Sequence, residues 1–142
     1  MGYLFNEALT SIVRRSAGDI NYLTDTIKVA LFTDAPNIDD DVFLSDLTGQ
    51  ATGAGYTAGG QTLTSKTVTT DDANNRTIAD AADVTWTGLT TSFRYVVVYQ
   101  DTGVASTSRV IAAYDTGATQ VIDNGTYTIT WPASGVFFIQ NP

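Results

Sequence analysis

The sequence predicts a mainly β protein: an antiparallel β-sandwich, jelly-roll-like or Ig-like, with a short N-terminal α-helix. Three observations lead there. Short runs rich in Val, Ile, Tyr, Phe and Trp are separated by Gly, Asn and Asp, which is strand-and-turn material. Threonine is the most frequent residue, and its branched side chain suits a half-exposed strand. The runs also follow one another without intervening helical patterns, which favours antiparallel pairing over βα units. The 142 residues fit one domain with a small appendage, divided here into an N-terminal amphipathic helix or arm at 1–18 and the sandwich at 19–142. An apolar content of 43% is enough for a real core.

The elements read as follows. Residues 4–16 form a helix, because Phe5, Leu9, Ile12 and Ser16 recur three to four apart and Leu4, Ala8 and Val13 widen the apolar stripe. Gly18 ends it. A helix this short needs something to pack on, either the open end of a sheet or another subunit. Residues 27–33 form a strand buried on both faces, ended by Pro36, which cannot continue a ladder. Residues 39–47 form one or two helical turns with Val42, Phe43 and Leu47 facing inward. Residues 61–70 are Thr-rich and half exposed, and the turn at 71–75 leads into a brief strand at 76–79 and another at 83–87. Residues 93–99 are the central strand, apolar on both faces apart from Arg94. Residues 109–114 are its hairpin partner across the loop 101–103. Residues 120–122 and 126–131 read as a second hairpin about Asp123-Asn124-Gly125, since Asn-Gly is a strong tight-turn signal. Residues 136–139 close the domain.

No histidine and no cysteine occurs anywhere in the chain. The side chains most used for acid–base catalysis near neutral pH, thiol nucleophiles and transition-metal ligation are therefore missing, and a histidine-based serine triad is excluded. The net charge of −8 argues against nucleic acid, whose binding rests on Lys and Arg neutralising phosphates. No segment approaches the roughly 20 apolar residues of a membrane span, and the N-terminus lacks the basic start of a secretion signal. The expectation is a non-enzymatic protein with no cofactor, no nucleic-acid partner and no membrane.

Four constellations are weighed against that expectation. The stretch Gly53-Ala54-Gly55-Tyr56-Thr57-Ala58-Gly59-Gly60 lacks the Lys-Ser/Thr ending of a nucleotide loop and no long helix follows it, so it reads as a structural loop. Asp39, Asp40, Asp41 and Asp46 do not have calcium-loop spacing and read as a helix start; the same holds for Asp71, Asp72, Asn74 and Asn75. Trp86, Trp131 and Tyr56 are candidates for stacking on sugars, although the two tryptophans lie in strand patterns that favour core packing. Paired carboxylates would make a small hydrolase, and that reading expects two acids with displaced titrations in one cleft.

One ordered set of segments remains. Residues 20–31 (INYLTDTIKVAL), the glycine-rich stretch 53–60, Asp83-Val84-Thr85-Trp86, residues 93–99 (FRYVVVY) and Thr128-Ile129-Thr130-Trp131 follow one another at set spacings. In that order they resemble small virion proteins of tailed bacteriophages, among them capsid decoration (cement) proteins, over about residues 20–139. The resemblance implies a structural protein on the outer capsid surface of the virion, bound to the major capsid protein and to itself as a homotrimer at three-fold positions. Candidate contact residues are Leu4, Phe5, Leu9, Ile12 and Val13 of the helix and Tyr56 of the glycine-rich loop. The alternative within virions is a tail, baseplate or fibre component that binds host-surface carbohydrate, marked by an exposed patch of aromatic and Asp side chains.

Overall fold

Backbone hydrogen bonding and the apolar runs together produce two antiparallel sheets. The computed structural model describes residues 3–4 and 19–140. Its strands are β1 (Tyr3–Leu4), β2 (Ile27–Phe32), β3 (Gln61–Thr62), β4 (Thr67–Asp71), β5 (Arg76–Asp80), β6 (Val84–Gln100), β7 (Val110–Ile129) and β8 (Phe137–Gln140). The larger sheet has the order β1-β7-β6-β2-β3 and the smaller one β4-β5-β8. Every pairing is antiparallel. The mainly β expectation holds for these residues.

β2 and the half of β6 that it pairs with, Tyr95 to Gln100, form the floor of the core. Ile27, Val29, Leu31, Val97 and Val98 are fully buried, as expected for strands apolar on both faces. Beyond Tyr95 β6 leaves β2 and continues with β7 as a long ribbon. There the side chains alternate, with Trp86, Leu89 and Phe93 inward and Thr85, Thr87 and Ser92 outward. Trp86 is paired directly with Tyr127, whose ring also meets Phe93 edge-on at 4.9 Å, a geometry worth about 0.5–1.5 kcal/mol beyond the area it buries.

The two sheets share one apolar cluster. Ala79 and Phe137 of the smaller sheet belong to the same buried set as Val96 and Ile129 of the larger. Tyr22 joins them: its ring lies edge-on to Phe137 at 5.3 Å, and its hydroxyl donates to the Asp80 carbonyl at 3.0 Å.

Three expectations change. Residues 83–87 and 93–99 are one strand, β6, rather than two. The second hairpin does not form. Asp123-Asn124-Gly125 lies inside β7, where β6 pairing runs through from Ile122 to Gly125 with one extra residue on the β7 side. Asn124 takes the left-handed φ of 45° that an Asn-Gly turn would use, but here it makes a bulge. Its N–H is taken by the Thr90 hydroxyl at 2.9 Å. The one or two helical turns expected at residues 39–47 are met by a single 3₁₀ turn, Leu44–Asp46, with Val42, Phe43 and Leu47 half-buried. Leu4, the first residue of the expected helix, pairs in β1 with Ala112, and residues 5–18 lie outside the described residues.

The bulge carries a prediction. Asn124→Gly should leave stability within about 0.5 kcal/mol, whereas Asn124→Ile should cost about 1–2 kcal/mol, the penalty of a β-branched residue held at positive φ. Urea unfolding of the two variants checks it. Equal costs would mean that the bulge does not constrain residue 124.

Candidate functional site

The glycine-rich stretch is a seal on the sheet edge. β2 is buried, so the N–H and C=O groups on its outer side need partners. Leu63 N–H donates to the Ile27 carbonyl, Ala51 N–H to the Leu31 carbonyl, and Thr33 N–H to the Gly49 carbonyl, at 2.7–2.8 Å. One group is left between these, the Leu31 N–H, and it donates to the Tyr56 hydroxyl oxygen at 3.0 Å. The loop that places Tyr56 lies directly on strand backbone. A Cβ on Gly60 would sit 1.9 Å from the Val29 carbonyl oxygen, and one on Gly53 1.9 Å from that of Thr90, so only glycine fits there. Tyr99 O–H holds the loop by donating to the Gly59 carbonyl at 2.7 Å, and Thr91 Oγ1 does the same to that of Thr52 at 2.6 Å. Tyr56 also stacks at a tilt on Trp86, 6.4 Å between centroids. The candidate contact residue Tyr56 thus has its hydroxyl and one ring face turned inward.

The acidic turns are built in the same way. Both the Val42 and Phe43 N–H groups donate to Asp46 Oδ2, which holds that carboxyl below its usual range. Asp41 accepts from the Asn37 N–H, Asp40 from the Asn37 side chain, and Asp34 from the Thr33 and Thr48 hydroxyls. Asp71 accepts from Asn74 and Arg76, and both lower its pKa. Asp101 is lowered chiefly by Lys28, 2.7 Å away. Asp115 is lowered chiefly by the two-pronged contact of Arg94 at 2.8 and 2.9 Å. The four lowered carboxylates, Asp46, Asp71, Asp101 and Asp115, lie far apart along the chain. Among the described residues no three acidic side chains gather into a metal site.

A cleft of about 520 Å³ opens between the end of β7 and the segment leading into β8. Tyr114, Tyr127, Trp131, Pro132, Phe137 and Phe138 line it, and none of its described lining is charged. Trp131 is fixed at the rim by its indole N–H, which donates to the Ala82 carbonyl at 3.1 Å. The Tyr114 hydroxyl is buried there without a hydrogen-bond partner among the described residues, and burial raises its pKa well above the ordinary value. Composition alone does not reveal this cleft. The available signal is Pro132 directly after the alternating strand, which turns the chain away from β7.

Two hydroxyls therefore make opposite predictions. Tyr56→Phe leaves the Leu31 N–H unpaired and should cost about 1–3 kcal/mol, whereas Tyr114→Phe removes an unpartnered group and should be neutral or stabilising by about 1 kcal/mol. The pH dependence follows from Tyr22, Tyr99 and Tyr114, all raised by burial from 10.0. A raised folded-state pKa means that this stability is present below pH 10.0 and falls as pH climbs above it toward the folded value. Tyr114→Phe should remove part of that alkaline loss. Urea melts at neutral pH and at about pH 11 measure both effects.

Of the predicted contact residues, Leu4 lies in β1, Tyr56 seals the β2 edge, and Phe5, Leu9, Ile12 and Val13 fall outside the described residues. Trp86 and Trp131 are both buried, as their strand patterns favour. No protein-family model matches the chain, and comparison with curated proteins and with solved structures likewise gives no match.

Proposed function

We propose that this chain is a structural virion protein: a capsid decoration (cement) protein on the outer surface of a phage head. It binds assembled major capsid protein and itself, as a homotrimer, and it performs no catalysis. One observation carries the reading. Many of the described acidic and hydroxyl side chains fasten turns and loops, and most of the segments that resemble phage virion proteins form the frame those loops fasten to. Residues 20–31 contain β2 and Tyr22, residues 53–60 seal its edge, and the remaining segments are parts of β6 and β7 and the Trp131 rim.

In this reading the two sheets and their shared core make a jelly-roll-like or Ig-like sandwich, and Phe5, Leu9, Ile12 and Val13 supply contact to the shell or to other copies. Stabilisation is linkage: a ligand that binds the assembled shell and not the free subunits shifts the equilibrium toward the shell. The acidic surface also avoids trapping nucleic acid. The carbohydrate-binding alternative expects exposed aromatic side chains together with Asp. The cleft has aromatic lining, but those side chains are buried or half-buried, and none of its described lining is acidic.

The test is sedimentation of the purified protein alone and after mixing with capsids assembled without it. A stable trimer that pellets with shells, saturating in symmetry-matched amounts, is the expected outcome. A monomer that stays in the supernatant would sink the decoration reading and move weight to the tail or fibre alternative, which a glycan array would then probe.

A further inference from the structure

Among the described residues the outer edges of the long strands β2, β6 and β7 are covered or distorted, whereas the smaller sheet has β4 and β8 at its borders. A free edge is a row of unpaired N–H and C=O groups that templates another strand unless it is short, bulged, charged or covered. The outer side of β2 is sealed by residues 49–51, Tyr56 and residues 61–63. The stretch of β6 beyond β2 has the glycine-rich loop on it, through the Thr90 N–H to the Ala54 carbonyl at 2.8 Å. β7 is covered at Ala112 and Ala113 by β1. Past that point it is distorted twice, between its Phe93 and Tyr95 pairings and again at Asn124. β8 borders the aromatic cleft, which no residue of β4 or β5 lines.

Among the described residues β4 is neither bulged nor covered. Its five pairings with β5 run without a register break, and residues 67–70 are all exposed, Val68 at 44%. Thr67, Val68, Thr69 and Thr70 include no charge and no proline. The nearest charges are directed elsewhere. Asp71 is held by Arg76, and the Lys66 ammonium donates to the backbone carbonyl of Asp25 and lies over the Tyr22 ring.

We propose that β4 is a self-association edge: a second copy of this chain pairs its own β4 against it, antiparallel about a two-fold axis centred on Thr69. The choice of a second copy rests on charge and symmetry. At −8 two copies repel over most approaches, but this strip is uncharged. Two-fold rotation of an antiparallel edge presents a matching row of donors and acceptors. With Thr69 on the axis, Thr69 faces Thr69 and Val68 faces Thr70, both favourable cross-strand pairs. Thr67 then faces an Asp71 already neutralised by its own Arg76. A register centred on Asp71 would oppose two like charges. The contact joins copies in pairs, so it is independent of the three-fold arrangement proposed above.

The absence of cysteine makes the test clean, because Thr69→Cys introduces the only thiol in the chain. Directly opposed residues of an antiparallel pair have Cα atoms about 4.5–5.5 Å apart, within the span a disulfide bridges. Under mild oxidation Thr69→Cys should form a covalent dimer at least about tenfold faster than Val121→Cys, since pairing raises the effective concentration of the two thiols. Val121 is a fair control, 75% exposed and on β7. Thr69→Lys should weaken dimerisation in sedimentation equilibrium by about tenfold or more, because two lysines would then face each other. Val68→Lys, which sets two lysines diagonally across the same axis, replaces it should circular dichroism show a loss of fold. Equal crosslinking of the two cysteine variants, or self-association unchanged by the lysine, would overturn the proposal. Neither readout involves capsids, so failure here leaves the decoration reading standing.

Discussion

A buried strand cannot leave a backbone group without a partner, and β2 imposes that constraint on this chain. Its apolar residues sit at the centre of the core, so water cannot serve its outer edge. An unpaired buried amide costs about 1–3 kcal/mol. The chain between β2 and β3 closes the edge in pieces, with two short stretches of backbone and, where the loop bows away, a tyrosine hydroxyl. Gly53 and Gly60 let the loop lie directly on strand backbone, and Tyr99 and Thr91 tie it there. The glycine-rich stretch is thus explained by one missing hydrogen bond, with no ligand required.

Much of this was legible in the residues. The apolar runs announced β2 and the inner half of β6. The Asp/Asn turn at 71–75 and the brief strand after it were legible, though not their pairing with β4, and alternation announced the outer end of β7. The joins were hidden. Whether residues 83–87 and 93–99 are one strand or two depends on whether a partner runs alongside both, and that partner lies some 30 residues away in sequence. Asn124-Gly125 has the same local preference in a turn and in a bulge, namely a positive φ, so only the long-range pairing decides between them. The structural role of Tyr56 was hidden in another way. An aromatic side chain amid glycines looks exposed in sequence, yet its hydroxyl reaches back 25 residues to Leu31. The aromatic cleft was hidden for a similar reason, because Tyr114 and Phe137 meet across the two sheets only after folding.

The electrostatics follow the same economy. Lys28, Arg76 and Arg94 each hold a carboxylate on a neighbouring strand or turn, and Arg109 lies over the Phe43 ring at 5.2 Å. Exposed pairs of this kind contribute little to stability. Their larger effect here is positional: Asp71 closes β4, Asp101 follows β6, and the Arg94–Asp115 pair sits at a register shift within the β6–β7 ribbon. The aspartates of residues 34–46 act likewise, with their carboxylates turned toward their own backbone or side-chain donors. The lowered carboxyls, Asp46, Asp71, Asp101 and Asp115, stay charged well into acid. A general acid working near neutral pH needs the opposite shift.

This committed charge bears on how the protein meets a partner. With the described basic side chains engaged internally and a net charge of −8, an approaching copy feels repulsion that salt screens. Close contact is then favourable only where charge is absent and backbone or apolar groups are available. The aromatic cleft and the β4 edge are two such regions, bordering the smaller sheet at β8 and at β4. A strand edge binds through main-chain groups and tolerates side-chain variety, whereas the cleft selects shape and apolar character. A protein built this way can present one surface to its own copies and the other to a different partner, with acidity suppressing contact elsewhere.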